Sequence, residues 1–150
     1  MSVFPTKILL ATDGSEDARL ANDTAVDLAN STGSELHVMT VAPGALDPAY
    51  LVESHVNYED ALKEVEGDSR KILDEQARRI EESGGKVTKS YLRRGRREDE
   101  IVRLGEELEA GLIVMGSRGL GGVRRALMGS VSDFVVRHAH CPVMVVRPRK

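Results

Sequence analysis

The sequence predicts an α/β protein with an open, five-stranded, mostly parallel sheet in the order 3-2-1-4-5 and helices on both faces. Three observations carry that prediction. Short apolar runs alternate four times with stretches of helical period before a last apolar run, the order that produces parallel sheets. Two runs, Ile8–Ala11 and Leu112–Met115, are wholly apolar, as strands covered on both faces must be. A third, Val87–Leu92, alternates with polar residues and belongs at an edge.

The first strand ends at Thr12-Asp13-Gly14-Ser15, a turn in which Ser15 can cap a helix carrying Glu16 and Asp17 at its positive end. Ala18, Ala21, Ala25 and Leu28 recur at helical spacing, and Gly33 closes that helix. Glu35–Val41 reads as the second strand, and residues 42–57, with Pro43, Gly44 and Pro48, as a long loop. Leu62, Val65, Ile72, Leu73, Ala77 and Ile80 mark an amphipathic helix over Tyr58–Ser83, stopped by Gly84-Gly85. Gly67 should fray or bend its first half, since glycine costs about 1 kcal/mol against alanine there. After the edge strand, Arg94-Gly95-Arg96 turns into a third helix with Ile101, Leu104 and Leu108 inward. Leu112–Met115 is the fourth strand, 116–129 a Gly- and Arg-rich linker, Ser130–His138 the fourth helix and Val143–Val146 the last strand. One domain over residues 1–150 is expected from the length.

Composition narrows the function. A net charge of −3 argues against a generic nucleic-acid or membrane binder, and aromatics at 3% supply no stacking platform for bases. The single cysteine, Cys141, forms no internal disulfide and suits a reducing compartment. No stretch is long and apolar enough to cross a bilayer, and Met1–Asp13 has no signal-peptide pattern, so a cytoplasmic location is expected. The charge is uneven: residues 1–85 hold 7 Lys and Arg against 17 Asp and Glu, residues 86–150 hold 14 against 7. Such asymmetry suits a half that receives an anion, although solvated faces produce it too.

The predicted order places strands one and four side by side where the winding reverses, and open sheets bind ligands in the crevice beyond the strand ends there. The residues leaving those ends are Thr12-Asp13 and Gly116-Ser117-Arg118-Gly119. Glycines let backbone N–H groups converge on phosphate oxygens, and the fourth helix then presents its unpaired amides at Ser130. Arg118, Arg124 and Arg125 add positive charge, and Asp13 can accept from sugar hydroxyls or neighbouring backbone. The competing reading is structural: glycines serving a turn, and Ser130-Val-Ser-Asp133 as a capping box. The P-loop is absent, because Gly129 is followed by Ser130 and Val131 rather than lysine. The dinucleotide fingerprint is absent too, since only Gly14 follows the first strand.

Gly116, Gly119, Gly129 and Ser130 fit Gly-x2-Gly-x9-Gly-(Ser/Thr) at every spacing, and in this the chain resembles the nucleotide-binding branch of the universal stress proteins. The opening Lys-Ile-Leu-Leu-Ala-Thr-Asp-Gly-Ser and closing Cys-Pro-Val-Met-Val-Val-Arg resemble that family as well. The resemblance implies a Rossmann-like domain that binds ATP, with or without Mg²⁺, and forms a homodimer through Val143–Val146. It implies that Ala11, Thr12 and Asp13 line the adenosine end and that Val41 offers backbone to adenine. Met115, Gly116, Ser117, Arg118, Gly119, Gly129, Ser130, Val131 and Ser132 would complete the site around ribose and phosphates.

Other chemistry is weaker. His138, His140 and Cys141 have metal-like composition at a helix end but lack a further ligand, and His37 and His55 show no recognisable partners. Arg93–Arg97 reads as surface, and no catalytic residue is assigned. An ATP-binding protein reporting stress or energy status is the leading expectation. The alternatives are a slow ATPase or nucleotidyl transferase, lacking an evident positioned base, or a client-binding module using the 42–57 loop and the second helix.

Overall fold

The computed structural model describes residues 2–47, 49, 57–117 and 129–148. Its elements run β1 (Lys7–Ala11), α1 (Glu16–Thr32), β2 (Glu35–Ala42), α2 (Tyr58–Glu82), β3 (Val87–Arg94), α3 (Arg97–Leu108), β4 (Leu112–Gly116), α4 (Ser130–His138) and β5 (Val143–Val146). The sheet has the order β3-β2-β1-β4-β5, and its four pairings are all parallel.

The pleat divides the core. Ile8 and Leu10 point to one face with Ala21, Ala25, Val26, Leu73 and Ile80, so α1 and α2 cover that side. Leu9 and Ala11 point to the other, with Ile101 and Leu104 of α3 and Val135 of α4. Both faces of β1 are therefore dry: Ile8, Leu9 and Leu10 are each 0% exposed, and burying a side chain of this size stabilises by about 2 kcal/mol. β3, with β2 as its sole neighbour, is half-buried to exposed along its length, as an edge position requires.

Local signals explain the element ends. Ser15 caps α1 by accepting the Ala18 N–H at 3.2 Å, and Asn57 caps α2 by accepting the Glu59 N–H at 2.8 Å. Gly33 ends α1 in the left-handed region at φ 69°, where a glycine avoids the Cβ penalty. α2 runs unbroken through Gly67 from Tyr58 to Glu82, so glycine does not interrupt it. Leu73, Gln76 and Ile80 bury its second half, and packing of this kind outweighs a 1 kcal/mol preference.

Candidate functional site

β1 pairs with β2 only as far as Ala11 opposite Met39, whereas β2 continues through Thr40, Val41 and Ala42 against β3. The Thr12 N–H closes the β1 side by donating to the Met39 carbonyl at 3.0 Å, and the Gly95 N–H donates to the Ala42 carbonyl on the β3 side at 3.0 Å. Main-chain groups alternate along a strand, so Val41 directs its N–H and C=O to the Met39 side, past the point where β1 has turned away. A donor and an acceptor therefore stand side by side facing a gap.

That gap is a cavity of about 150 Å³. Its apolar end is lined by Met39, Val41, Ile101 and Met115, and its polar end by Gly116, Ser117 and Gly129–Ser132. Ala11, Thr12 and Asp13 form the wall between them. Eleven of the thirteen residues expected at a site thus meet around one space, and Arg118 and Gly119 lie outside the described residues, as do Arg124, Arg125 and His55.

The polar end is built by Ser117, which is 2% exposed. Its N–H donates to the Val146 carbonyl at 2.9 Å, fixing the end of β5. Its carbonyl accepts from the Gly129 N–H at 2.6 Å and from the Ser132 hydroxyl at 2.7 Å, which anchors the start of α4. Its own hydroxyl donates to Asp17 Oδ2 at 2.9 Å. The Ser132 hydroxyl is thereby engaged with the Ser117 and Gly129 carbonyls.

The capping box expected at Ser130 and Asp133 does not form. Gly129 is the N-cap, with no side-chain cap among the described residues, and Asp133 instead accepts from Arg137 Nε at 3.0 Å along the helix surface. Among the described residues the first amides of α4 thus have no side-chain acceptor, the general setting in which helix N-termini bind anions. Gly116 serves a different end: a Cβ there would lie 2.9 Å from the Asp17 carbonyl carbon, so its absence lets α1 approach β4.

Two further expectations are corrected. Arg97 is not simple surface, for it lines the cavity with Nη1 3.5 Å from Asp13 Oδ2. Asp13 Oδ1 in turn accepts the Ser15 N–H at 2.9 Å. His37 does have partners: it is buried, with Nδ1 2.9 Å from the Tyr91 hydroxyl and Nε2 2.9 Å from Glu35 Oε1. Ser15, Ala18, Met39 and Ile101 also line the cavity without having been expected there. The remaining arginines of that stretch bind acids: Arg93 pairs with Glu100 and Glu107, Arg94 with Glu66, and Arg96 with Glu98 and Asp99. The partnership with Glu107 raises the Arg93 pKa, and Glu98 is held below the usual carboxylate range chiefly by its own backbone N–H, with Arg96 adding to the effect. His140 Nε2 stands 2.6 Å from Glu106 Oε1. Among the described residues no helix is long and apolar enough to cross a membrane.

The model of the universal stress protein family matches residues 5–147. The chain belongs to that family. The universal stress protein MJ0531 of Methanocaldococcus jannaschii is 32% identical over 144 residues, covering 96% of this chain and 83% of the relative. The universal stress protein YxiE of Bacillus subtilis is 33% identical over 147 residues, covering 94% and 98%. Among solved structures, universal stress protein UspA from Lactobacillus plantarum superposes with a TM-score of 0.80 at 24% identity, over 96% of this chain and 99% of that one. A universal stress protein in complex with cAMP superposes with a TM-score of 0.72, also at 24% identity, over 97% and 98%. At those identities the superpositions establish the fold of the family.

Proposed function

We propose that the cavity binds ATP, and that this protein is a cytoplasmic, nucleotide-responsive universal stress protein. The observation that carries the reading is the pairing, in one cavity, of two unlike recognition surfaces. The uncapped start of α4 at Gly129–Ser132 offers amides to phosphates, and the free strand edge at Val41 offers a donor and an acceptor to a base. Adenine presents a complementary donor and acceptor along one edge. Met39, Ile101 and Met115 supply the apolar surface that a base needs, and Asp13 stands between the two ends, where a ribose would lie. The solved relative that holds cAMP supports an adenine ligand. In this reading Arg118 and Gly119 join the phosphate end, and Mg²⁺, where present, arrives on the phosphates.

The protein is further proposed to pair as a homodimer through β5. This strand is the second edge of the sheet, Met144 on it is 36% exposed, and Val136 on α4 is 46% exposed. Sedimentation at tens of micromolar tests the pairing, and a 16.4 kDa species alone counts against it.

The nucleotide reading is tested by thermal melts with ATP and with adenosine. ATP at a hundred times its Kd stabilises by about 2.7 kcal/mol, which raises the melting temperature by roughly 5–11 °C for a chain of this size. Adenosine should do less, since it leaves the α4 amides unused. No shift with ATP, or equal shifts from both at equal concentration, refutes the reading.

A further inference from the structure

We infer that Arg97 is a positioning residue for the sugar of the ligand: acting through Asp13, it sets how well the cavity distinguishes a ribonucleotide from its dideoxy counterpart. This rests on the nucleotide reading above and adds a specificity determinant to it.

Arg97 is the first residue of α3, where a positive charge faces the positive end of the helix dipole and adds nothing to helix stability. Its neighbour Arg96 turns back to Glu98 at 2.8 Å and Asp99 at 3.6 Å within the same helix turn. Arg97 does otherwise and reaches an acid 84 positions earlier, across the cavity mouth, with its guanidinium 3.5 Å from Asp13 Oδ2. Two of the groups that hold the Asp13 carboxylate come from opposite sides: the Ser15 N–H meets Oδ1 from the β1–α1 turn, and Arg97 faces Oδ2 from α3. The Asp13 side chain is 13% exposed and that of Arg97 is 38% exposed, so the carboxylate sits in the wall while the cation comes to it from the rim.

The chemistry follows from that grip. A carboxylate accepts strongly from sugar hydroxyls only while it is correctly aimed, and a neighbouring guanidinium helps to hold that aim. Pre-orientation lowers the entropy lost when hydroxyls bind. Removal of Arg97 should therefore weaken the hold on a 2′,3′-diol and leave the contacts with base and phosphates as they are.

The test uses the full chain, its Arg97→Gln, Arg97→Lys and Asp13→Asn variants, and the Arg97→Gln/Asp13→Asn double variant. Each is titrated calorimetrically with ATP and with 2′,3′-dideoxy-ATP after melts without ligand have shown it folded. The unsubstituted chain should prefer ATP about tenfold, the scale of a hydrogen bond to a charged group. Arg97→Gln should cut that preference to about threefold or less, with the dideoxy affinity within about twofold, and Arg97→Lys should restore most of it. In the Asp13→Asn background, Arg97→Gln should change ATP affinity by less than about twofold. Equal weakening of both nucleotides by Arg97→Gln overturns the inference, as does an undiminished effect in the Asp13→Asn background, which would mean direct contact with the ligand. If the unsubstituted chain binds neither nucleotide, the nucleotide reading itself falls and this inference with it.

Discussion

Gly116 begins the glycine pattern that suggests a phosphate loop, yet its surroundings predict that replacing it damages the fold before any ligand is involved. In Gly116→Ala the new methyl group would sit 2.9 Å from the carbonyl carbon and from Cβ of Asp17, and 3.0 Å from the Asp17 carbonyl oxygen. Two of those three atoms are backbone in the first turn of α1, so no rotamer change relieves the contact. Relief requires α1 to move away from β4, which also strains the Ser117–Asp17 hydrogen bond of 2.9 Å. Overpacking of this kind costs about 2–3 kcal/mol, or a fall in melting temperature of roughly 4–12 °C for a chain this long. Gly67→Ala is the internal comparison: a Cβ there meets nothing within 4 Å, and alanine in a helix interior should stabilise by up to about 1 kcal/mol. Urea denaturation without nucleotide measures both, with the slope unchanged. A Gly116→Ala protein as stable as the parent would refute the packing argument and return this glycine to the ligand.

The buried amides of α1 and α2 give a second expectation. Asn22 Nδ2 donates to Gln76 Oε1 at 2.6 Å, while Asn22 Oδ1 is buried with no hydrogen-bond partner among the described residues. Gln76→Leu should cost about 1–3 kcal/mol because it strands the whole Asn22 amide, and adding Asn22→Leu should recover most of that in urea melts. Simple additivity of the two losses would show that the pair is not coupled. Cys141 gives a third. Burial pushes its thiol pKa above the ordinary value, with the Ile113 backbone opposing weakly. The neutral form is favoured in the native state, so thiolate is scarce at pH 8 and becomes abundant only as pH rises past the usual thiol range. Alkylation by iodoacetamide at pH 8 should be several-fold slower in the native protein than in urea, and equal rates count against a shielded thiol.

The order of the sheet was legible because burial and sequence period are the same fact seen twice. Ile8–Ala11 is apolar at every position because successive residues serve different cores, Leu9 under α3 and Leu10 under α1. Val87–Leu92 mixes polar with apolar residues, and β3, at one end of the sheet order, is half-buried to exposed throughout. The caps at Ser15 and Gly33 could be read from residue type, since each acts within four residues of itself. The cap of α4 could not. Ser130 has the composition of an N-cap, yet it is the first helical residue of the expected span, and the cap is Gly129, whose N–H donates to the distant Ser117 carbonyl. The Tyr91 partner of His37 is illegible for a related reason: it lies 54 positions away on β3, and no local spacing encodes a cross-strand hydrogen bond.

The site itself follows from a mismatch in strand length. β1 leaves the sheet after Ala11, while β2 on one side continues to Ala42 and β4 on the other to Gly116. A shortened central strand leaves a notch whose walls carry main-chain groups in search of partners. The chain closes the notch with two helix starts, α3 at Arg97 and α4 at Ser130. Two positive helix ends facing one notch would by themselves favour anions at both, but the first turn of α3 carries Glu98, Asp99 and Glu100, and that of α4 carries Asp133 alone. The start of α3 is therefore rich in acids, themselves paired with Arg93, Arg96 and Arg103, whereas the start of α4 is not. On the proposed nucleotide reading, this difference would favour a pose with the base toward Val41 and the phosphates toward Ser130.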